Sequence, residues 1–522
     1  MLTMPPLPVS GQYKTALNAA QKVNRSEIKA MRGINYGDAL KDGDMADSLN
    51  ISARRYPYIA TRRAREKQAG YADATALTGW DKLIAVEGTS LLYDGTAVGT
   101  VSEGVKQFAV VNTKLVIWPD KKYLDLKTLT VKDMAATATG TAVTFTTDSA
   151  TFTGMSDLTT LFNAGDGLTI SGCTSDPSNN RDVVVKSVTS NKITVADNTF
   201  TAGSESGTIK LERKVPDMDY ICESENRLWG CSSTEQTIYA SALGDPCNFN
   251  VFESLSTDSY ALAVGSEGNF TGCCKLSSSV LFWKENTLHK ILGSYPAEYA
   301  MYPYTVEGLQ EGCNKSLQVM NDVLFYMGLH GVYIYSGGTP SLASANFGDR
   351  EFSDAVAGND GDSYYLSCKD ESNQWHLMIY EKRSGVWVHE DYLECVDFAR
   401  IGKSLYFLDA DGDVWLASSG QDDPDMEWMV QFTPFYESIQ GRKCYSRLLL
   451  RTELPVGSYV TVSLRQDGGP WREAGRVVGK SDDVARIRVP ITRCDKFEIK
   501  LEGKGPCTIL SMERTFTMES EV

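Results

Sequence analysis

The sequence predicts an all-β protein: a β-propeller of about six to eight blades with an inserted small β-domain and a C-terminal β-sandwich. Three observations support this prediction. Short apolar bursts recur along the chain, turn-forming residues flank most of them, and helical patterning is nearly absent between them. Residues 226–252, NRLWGCSSTEQTIYASALGDPCNFNVF, contain one unit: two apolar bursts around a polar turn, followed by a Gly-Asp-Pro break.

The bursts have the composition of β-strands and recur at a spacing of about 40 to 50 residues, which is typical of propeller blades. Each is short and rich in β-branched or aromatic residues. They are LLYDG at Leu91, LVIW at Leu115, RLWG at Arg227, VLFW at Val280, VLFY at Val323, HLMIY at His376 and LYFL at Leu405. A further strand, such as TIYASA or GVYIYSGG, closes the meander. Because a single blade cannot bury both apolar faces, the blades are expected to stack around an axis.

The chain divides into five predicted parts. Residues 1–30 form an N-terminal arm, and residues 31–133 hold the first part of the propeller. Residues 134–213 are rich in Thr, Ser, Gly and Ala and alternate apolar with polar positions, which favours an inserted small β-barrel or sandwich. Residues 214–425 continue the propeller, and residues 426–522 alternate as strands of a C-terminal β-sandwich. Helix is expected only in the arm, at YKTALNAAQKV, and in one turn at SDLTTLF.

Size and composition define a folded, acidic chain. The 522 residues predict two to four domains, because single cores stop growing near roughly 250 to 300 residues. The net charge of −16 disfavours a protein that grips duplex DNA through many phosphates. Neither a signal peptide nor a long apolar run is recognisable, so export by that route and a membrane-spanning segment are not expected.

Motifs that carry chemistry are missing from the sequence. The twelve cysteines are spread without a C-x-x-C pair, which favours buried reduced thiols over a zinc site. The four histidines, His289, His330, His376 and His389, sit in or beside strand patterns without metal-binding spacing. The acidic stretch from Asp409 to Asp413 departs from a calcium loop and favours a hairpin turn. The sequence therefore predicts no enzyme activity, no catalytic or metal site and no cofactor.

Basic residues cluster once, in ARRYPYIATRRAREK. A nucleic-acid contact is one interpretation, because Tyr56 and Tyr58 lie between the basic residues. A solvated entry strand, or a subunit contact that uses the acidic remainder of the chain, is the favoured interpretation. The predicted subunit-contact residues are Arg54, Arg55, Arg62, Arg63 and Arg65.

Two segments resemble bacteriophage tail proteins built on a β-propeller, namely the tail nozzle, hub or stabilization proteins of short-tailed phages. The first is MRGINYGDALKDGDMADSLNISARRYPYIATRRARE, residues 31–66, with its Gly33-Ile34-Asn35 start, its ADSLNI strand and its arginine-rich strand. The second is IYASALGDPCNFNVF, residues 238–252, which is similar to the blade ending YxSxxGDPxNF of those proteins. The likeness covers residues 31–420.

The resemblance implies a structural protein of the virion tail, assembled in the host cytoplasm. Its implied partners are further copies of itself in a hexameric ring, the portal and adaptor proteins, tail fibres or spikes, and the double-stranded DNA that passes through during ejection. Two alternatives stay open: a receptor- or glycan-binding propeller at the tail tip, and a collar or baseplate protein of a long-tailed phage.

A conduit for DNA favours an acidic lumen, because carboxylates repel phosphate. Acidic residues cluster in two predicted loops. The hypothesis is that they face such a lumen, and the residues are Asp360 and Asp362 in one loop and Asp422, Asp423 and Asp425 in the other.

Overall fold

The computed structural model describes residues 23–437, 441–479, 483–490 and 493–518. The fold of these residues is all-β, which confirms the predicted class. Their helices are five 3-10 turns: Leu158–Thr160, Pro177–Asn179, Pro296–Glu298, Asn314–Ser316 and Ala345–Phe347. The first falls within SDLTTLF, where the sequence predicts one turn. The predicted helix YKTALNAAQKV lies, apart from its last residue, outside the described residues.

The strands that precede the first four-stranded sheet in the sequence are short. They are β1 (Val23–Ile28), β2 (Gly33–Ile34), β3 (Asp44–Leu49), β4 (Ile51–Ser52), β5 (Ile59–Thr61) and β6 (Glu66–Gly70).

Two four-stranded antiparallel meanders follow. Their strands are β7 (Ala74–Gly79), β8 (Leu83–Glu87), β9 (Ser90–Tyr93) and β10 (Thr96–Thr100), then β11 (Gln107–Val111), β12 (Lys114–Trp118), β13 (Lys122–Asp125) and β14 (Thr130–Asp133).

A separate seven-stranded sheet then occupies the range that the sequence predicts as an insert. Its strands are β15 (Ala136–Phe145), β16 (Ser149–Thr153), β17 (Gly167–Ser171), β18 (Asp182–Val184), β19 (Ser187–Val188), β20 (Lys192–Thr194) and β21 (Gly203–Arg213). The long strands β15 and β21 pair from Ala136 opposite Arg213 to Phe145 opposite Gly203. The sheet encloses an apolar core of its own, which includes Phe152, Leu168 and Ile209.

Five more four-stranded sheets complete the series. The first two sheets are formed by β22 (Tyr220–Ser224), β23 (Arg227–Ser232), β24 (Thr237–Ala240) and β25 (Tyr260–Ala263), and by β26 (Phe270–Leu276), β27 (Ser279–Lys284), β28 (Thr287–Leu292) and β29 (Ala300–Thr305). The next two are formed by β30 (Gln318–Met320), β31 (Val323–Gly328), β32 (Gly331–Tyr335) and β33 (Ser341–Leu342), and by β34 (Phe352–Asn359), β35 (Ser363–Asp370), β36 (Trp375–Glu381) and β37 (Val386–Asp391). The last is formed by β38 (Cys395–Ile401), β39 (Ser404–Asp409) and β40 (Asp413–Leu416), with β6 as its fourth strand.

The first strand of each four-stranded sheet is the innermost. Residues of β7, β11, β22, β26, β30, β34 and β38 together line one central cavity of about 730 Å³. This radial arrangement is that of a β-propeller. Aromatic side chains fill the spaces between neighbouring sheets: the rings of Trp283 and Tyr326 lie 4.6 Å apart, and those of Phe325 and Tyr364 stack at 5.1 Å. Such contacts between sheets explain why the bursts are rich in aromatic residues.

The last four-stranded sheet is completed from the other end of the chain. Strand β6 pairs with β40, with Gly70 opposite Asp413 and Glu66 opposite Leu416. The sequence places residues 66–70 within the first part of the propeller and contains no local signal that they belong to its last sheet.

The remaining strands form two sheets that pack face to face. They are β41 (Glu427–Phe432), β42 (Lys443–Glu453), β43 (Tyr459–Gln466), β44 (Arg472–Val478), β45 (Asp483–Arg488), β46 (Arg493–Cys494), β47 (Phe497–Lys504) and β48 (Thr508–Met518). One sheet has the order β4-β5-β48-β42-β45, with β1 beside β48 and β46 beside β42. The other has the order β2-β3-β41-β47-β43-β44. The rings of Tyr445 and Phe497 stack at 4.0 Å between them.

The N-terminal strands β1 to β5 belong to these C-terminal sheets. Met45 pairs opposite Phe432, and Ile59 pairs opposite Ile509. The sequence-based boundaries, an arm up to residue 30 and a propeller from residue 31, therefore differ from the structure. The local pattern correctly indicates strands here, but the C-terminal partners of β1, β3 and β5 lie about 380 to 490 residues further along the chain, where no local pattern points.

Candidate functional site: an arginine cleft between the propeller and the C-terminal sheets

The linking segment, residues 50–65, runs from the C-terminal sheets to the propeller and lines a cleft of about 510 Å³. It contains all five arginines that the sequence predicts as a subunit contact. The cleft is also lined by Tyr365 and Glu390 of the propeller and by Glu453 of the C-terminal sheets. The structure thus brings these arginines together at the junction of the two parts of the chain.

Arg65 makes the most buried contact of the segment. Its two terminal nitrogens lie 2.6 Å from Glu390 Oε1 and 2.7 Å from Asp391 Oδ2, and its side chain is only 12% exposed. Burial alone would lower the pKa of Arg65, but the two carboxylates outweigh burial and raise it. Arg62 Nε lies 3.5 Å from the same Glu390 oxygen. Burial, followed by the charge of Arg65, lowers the pKa of Arg62.

Arg54 and Arg55 point to opposite sides of the cleft. Arg54 pairs with Asp360 of the propeller and donates to the hydroxyl of Tyr365 at 3.1 Å. Arg55 forms a fork with the two Glu453 oxygens of the C-terminal sheets, at 2.6 and 3.3 Å. Adjacent arginines therefore tie the linking segment to both parts of the chain.

Arg63 makes an exposed pair with Asp422, which is one of the acidic residues assigned by hypothesis to a DNA-facing lumen. Asp425 pairs with Lys504 at 2.8 Å, and Asp423 accepts a hydrogen bond from the Asp425 backbone at 2.9 Å. The residues that line the central cavity do not include Asp422, Asp423 or Asp425. Asp422 lines the arginine cleft, and Asp423 and Asp425 follow it closely in the sequence. That these carboxylates face a lumen formed by several copies stays a prediction.

The other predicted acidic loop lies on the propeller side of the same junction. Asp360 accepts from Arg54, and its second oxygen receives the backbone N–H groups of Asp362 and Ser363 at 3.0 and 2.9 Å. Asp362 lies 3.4 Å from the exposed Arg383. The carboxylates of this loop therefore hold the linking segment and the loop itself.

A second junction connects the two parts through histidines. Asp370 Oδ2 lies 3.0 Å from His376 Nε2, His376 Nδ1 lies 3.3 Å from His389 Nε2, and His389 Nδ1 lies 3.0 Å from Asp47 of strand β3. Burial lowers the pKa of His376, against the opposing effect of Asp370. The Tyr392 hydroxyl donates to the other Asp47 oxygen at 3.3 Å. This row of hydrogen-bonded side chains connects β37 to β3 and so has a structural role.

The central cavity carries charges of both signs. Lys315 Nζ lies 2.9 Å from Asp397 Oδ2, and Lys275 Nζ lies 3.9 Å from Glu223. The thiols of Cys222 and Cys273 also line it, and all twelve cysteines are free.

The described part of the chain contains no group of three or more His, Cys, Asp or Glu side chains placed to hold a metal ion. Within the same ranges, no helix has both the length and the apolar character needed to cross a membrane.

The GDPCN motif has a structural task that sequence reasoning missed. Asp245 pairs with Lys114 at 2.8 Å. The Asn248 amide donates to Asp166 at 3.0 Å and accepts from the Gly167 backbone at 3.1 Å, and both partners belong to the insert. Asp166 in turn pairs with the buried Arg213 at 2.8 Å. The motif therefore anchors the insert to the propeller, and its partners lie too far along the chain for a local signal.

Comparisons with known proteins give weak likenesses in structure alone. No family model matches the sequence, and no curated protein matches it significantly. The structure of U3-55K is similar over 67% of this chain and 97% of its own, with 8% identity and a TM-score of 0.34. The structure of the RRP9 WD40 repeats is similar over 68% of this chain and 98% of its own, with 8% identity and a TM-score of 0.32. The structure of an exo-β-1,3-galactanase from Phanerochaete chrysosporium is similar over 55% of this chain and 92% of its own, with 9% identity and a TM-score of 0.22.

Proposed function

We propose that the protein is a structural component of a tailed bacteriophage virion, a ring-forming nozzle or hub at the portal-tail axis that closes the channel and conducts DNA during ejection. The supporting observation is the position of the residues that resemble phage tail propellers. Gly33, Arg62, Arg65 and Asn248 all lie where one part of the fold meets another. The residues that carry the resemblance thus connect parts of the fold, as expected for a protein with a structural function.

Gly33 illustrates how closely these joints fit. Its φ is +81°, and a Cβ atom added there would lie 2.2 Å from the Trp387 carbonyl oxygen and 2.5 Å from Val386 Cγ1. Only glycine permits that backbone conformation at such a close approach. The first glycine of the resembling segment therefore serves the contact between β2 and the propeller strand β37.

In this proposal the seven four-stranded sheets are the blades of one closed propeller, and β6 closes it beside β40. The insert and the C-terminal sheets are separate domains attached to it. Several such chains, six by the resemblance, form the ring, because repetition of a single interface with cyclic closure is the simplest route to a large assembly. Portal or adaptor proteins and tail fibres or spikes are the proposed neighbours.

Electron microscopy of the purified full-length chain tests the proposal. Negatively stained particles are expected to be rings with a central hole, and antibodies against the chain are expected to label the tail of the intact virion. Monomeric discs that bind glycans or release reducing sugar would overturn the proposal and favour a receptor- or glycan-directed propeller. Tape-measure and tube genes beside this gene, in place of portal and adaptor genes, would favour a long-tailed virion.

A further inference from the structure

One face of the seven-stranded C-terminal sheet carries four arginines, Arg447 and Arg451 on β42 and Arg486 and Arg488 on β45, here called the arginine face. The strand register puts Arg447 directly opposite Arg488 and Leu449 opposite Arg486. The intervening residues Leu448, Leu450 and Ile487 point the other way, into the buried core. Alternation along the two strands thus places all four guanidinium groups on the outer side.

The arginine face has no acidic partner among the side chains that the structure describes. Within the described ranges, none of its four guanidinium groups has a carboxylate within 4.0 Å. The neighbouring Glu513 lies 4.0 Å from Arg25 of β1. Arg447 Nε is buried without a hydrogen-bond partner. The side chains of Arg451, Arg486 and Arg488 are exposed, so an external carboxylate can reach their guanidinium groups.

The register itself is unfavourable without such an acceptor. Like charges at directly opposed positions of an antiparallel pair destabilise a sheet. The pair formed by Arg447 and Arg488 breaks that rule, and no described carboxylate lies within 4.0 Å of either guanidinium group. Positions that break a local rule in this way tend to serve a function.

The distribution of charge identifies the partner. Residues 1–65 and 426–522, which contain the strands of the C-terminal sheets, hold 26 of the 51 Lys and Arg residues and 18 of the 67 Asp and Glu residues, a formal charge of +8; residues 66–425, the propeller with its insert, have −24. A second copy therefore offers a strongly acidic propeller part at a fixed one-to-one ratio. Duplex DNA is disfavoured, because a conduit must not hold phosphates and unpaired arginines bind them strongly.

We propose that the arginine face docks on the acidic propeller part of a neighbouring copy of this chain. The contact is heterologous, with different surfaces on its two sides, and such contacts generate rings when the rotation closes. This inference rests on the proposed ring and names the surface that holds it together. Because the paired groups have opposite charge, the contact weakens as ionic strength rises.

The test compares the full-length protein with Arg486→Glu/Arg488→Glu by analytical ultracentrifugation and native mass spectrometry. The wild-type protein is expected to assemble, with weaker association at 0.5 M than at 0.1 M salt on account of shorter-range screening. The variant is expected to associate at least tenfold more weakly. Arg383→Glu/Arg472→Glu is the matched control, because it changes net charge equally at an exposed propeller site and on the other C-terminal sheet, and it should assemble normally.

The neutral variant Arg486→Gln/Arg488→Gln gives an intermediate loss and serves as the second test if charge reversal disturbs folding, which circular dichroism reports. A folded variant that assembles as well as wild type refutes the arginine face and leaves the ring intact. A wild-type chain that is monomeric at every concentration refutes both. If a labelled 20-base-pair duplex binds wild type but not the variant while assembly is unchanged, the partner is nucleic acid and the inference is wrong.

Discussion

Replacing Arg65 by alanine should loosen the junction between the propeller and the C-terminal sheets. The change removes contacts of 2.6 and 2.7 Å and leaves the buried Glu390, which is 7% exposed, and the partly exposed Asp391 without their arginine partner. Loss of one partner from a buried ion pair costs about 3 to 5 kcal/mol. Arg62 remains 3.5 Å from Glu390 and offsets part of this, so the expected loss is near the lower end, about 3 kcal/mol.

The assay is urea unfolding followed by tryptophan fluorescence, together with hydrogen exchange of strands β2 to β5. Arg65→Ala should shift the first unfolding transition to lower urea and speed exchange in these strands. Arg63→Ala is the matched control two residues away, because Arg63 and Asp422 are each about half exposed and such a surface pair contributes about 0 to 1 kcal/mol. Equal effects of the two substitutions would refute the view that Arg65 holds the junction.

Three further predictions concern His289 of strand β28, Gly33 and Asn248. Burial lowers the pKa of His289 from 6.5 to about 4, so the unfolded chain binds more protons and the free energy of unfolding should fall as the pH drops from 7 to 4. Thermal unfolding of His289→Gln should depend less on pH over that range, and an equal dependence would contradict the assignment. Gly33→Ala should lower the melting temperature more than Gly104→Ala, which has a positive φ but nothing within 4 Å of an added Cβ, and equal losses would mean that the contact with Trp387 is unimportant. Asn248→Ala should make residues 134–213 more sensitive to protease at unchanged propeller stability, and unchanged digestion would show that other contacts anchor the insert.

The propeller strands could be predicted from sequence because the information is local. Each burst of apolar residues, such as VLFW at Val280, meets its neighbours within a few residues across a tight turn. Strands of this kind need only alternation, β-branched or aromatic side chains and turn residues to be recognised. The all-β class follows from the same local signals.

The junctions could not be predicted in this way. Asp47 and His389 meet across 342 positions, and Arg65 and Glu390 across 325. No spacing rule connects residues so far apart, so the sequence indicates a basic segment and scattered histidines but not their partners. The same reason explains why the boundary predicted at residue 31 differs from the structure, since β3 and β5 pair with β41 and β48, which follow the propeller in the sequence.

Strand β6 has a consequence for how the chain is made. About 350 residues separate it from β40, so at a synthesis rate of about 5 to 20 residues per second it waits roughly 20 to 70 seconds for its partner to emerge. Its sequence, EKQAG, is polar and mostly exposed even when paired. An unpaired strand of that composition has little tendency to aggregate. The nascent chain can therefore keep β6 unpaired until β40 has been synthesised and the last sheet of the propeller can form.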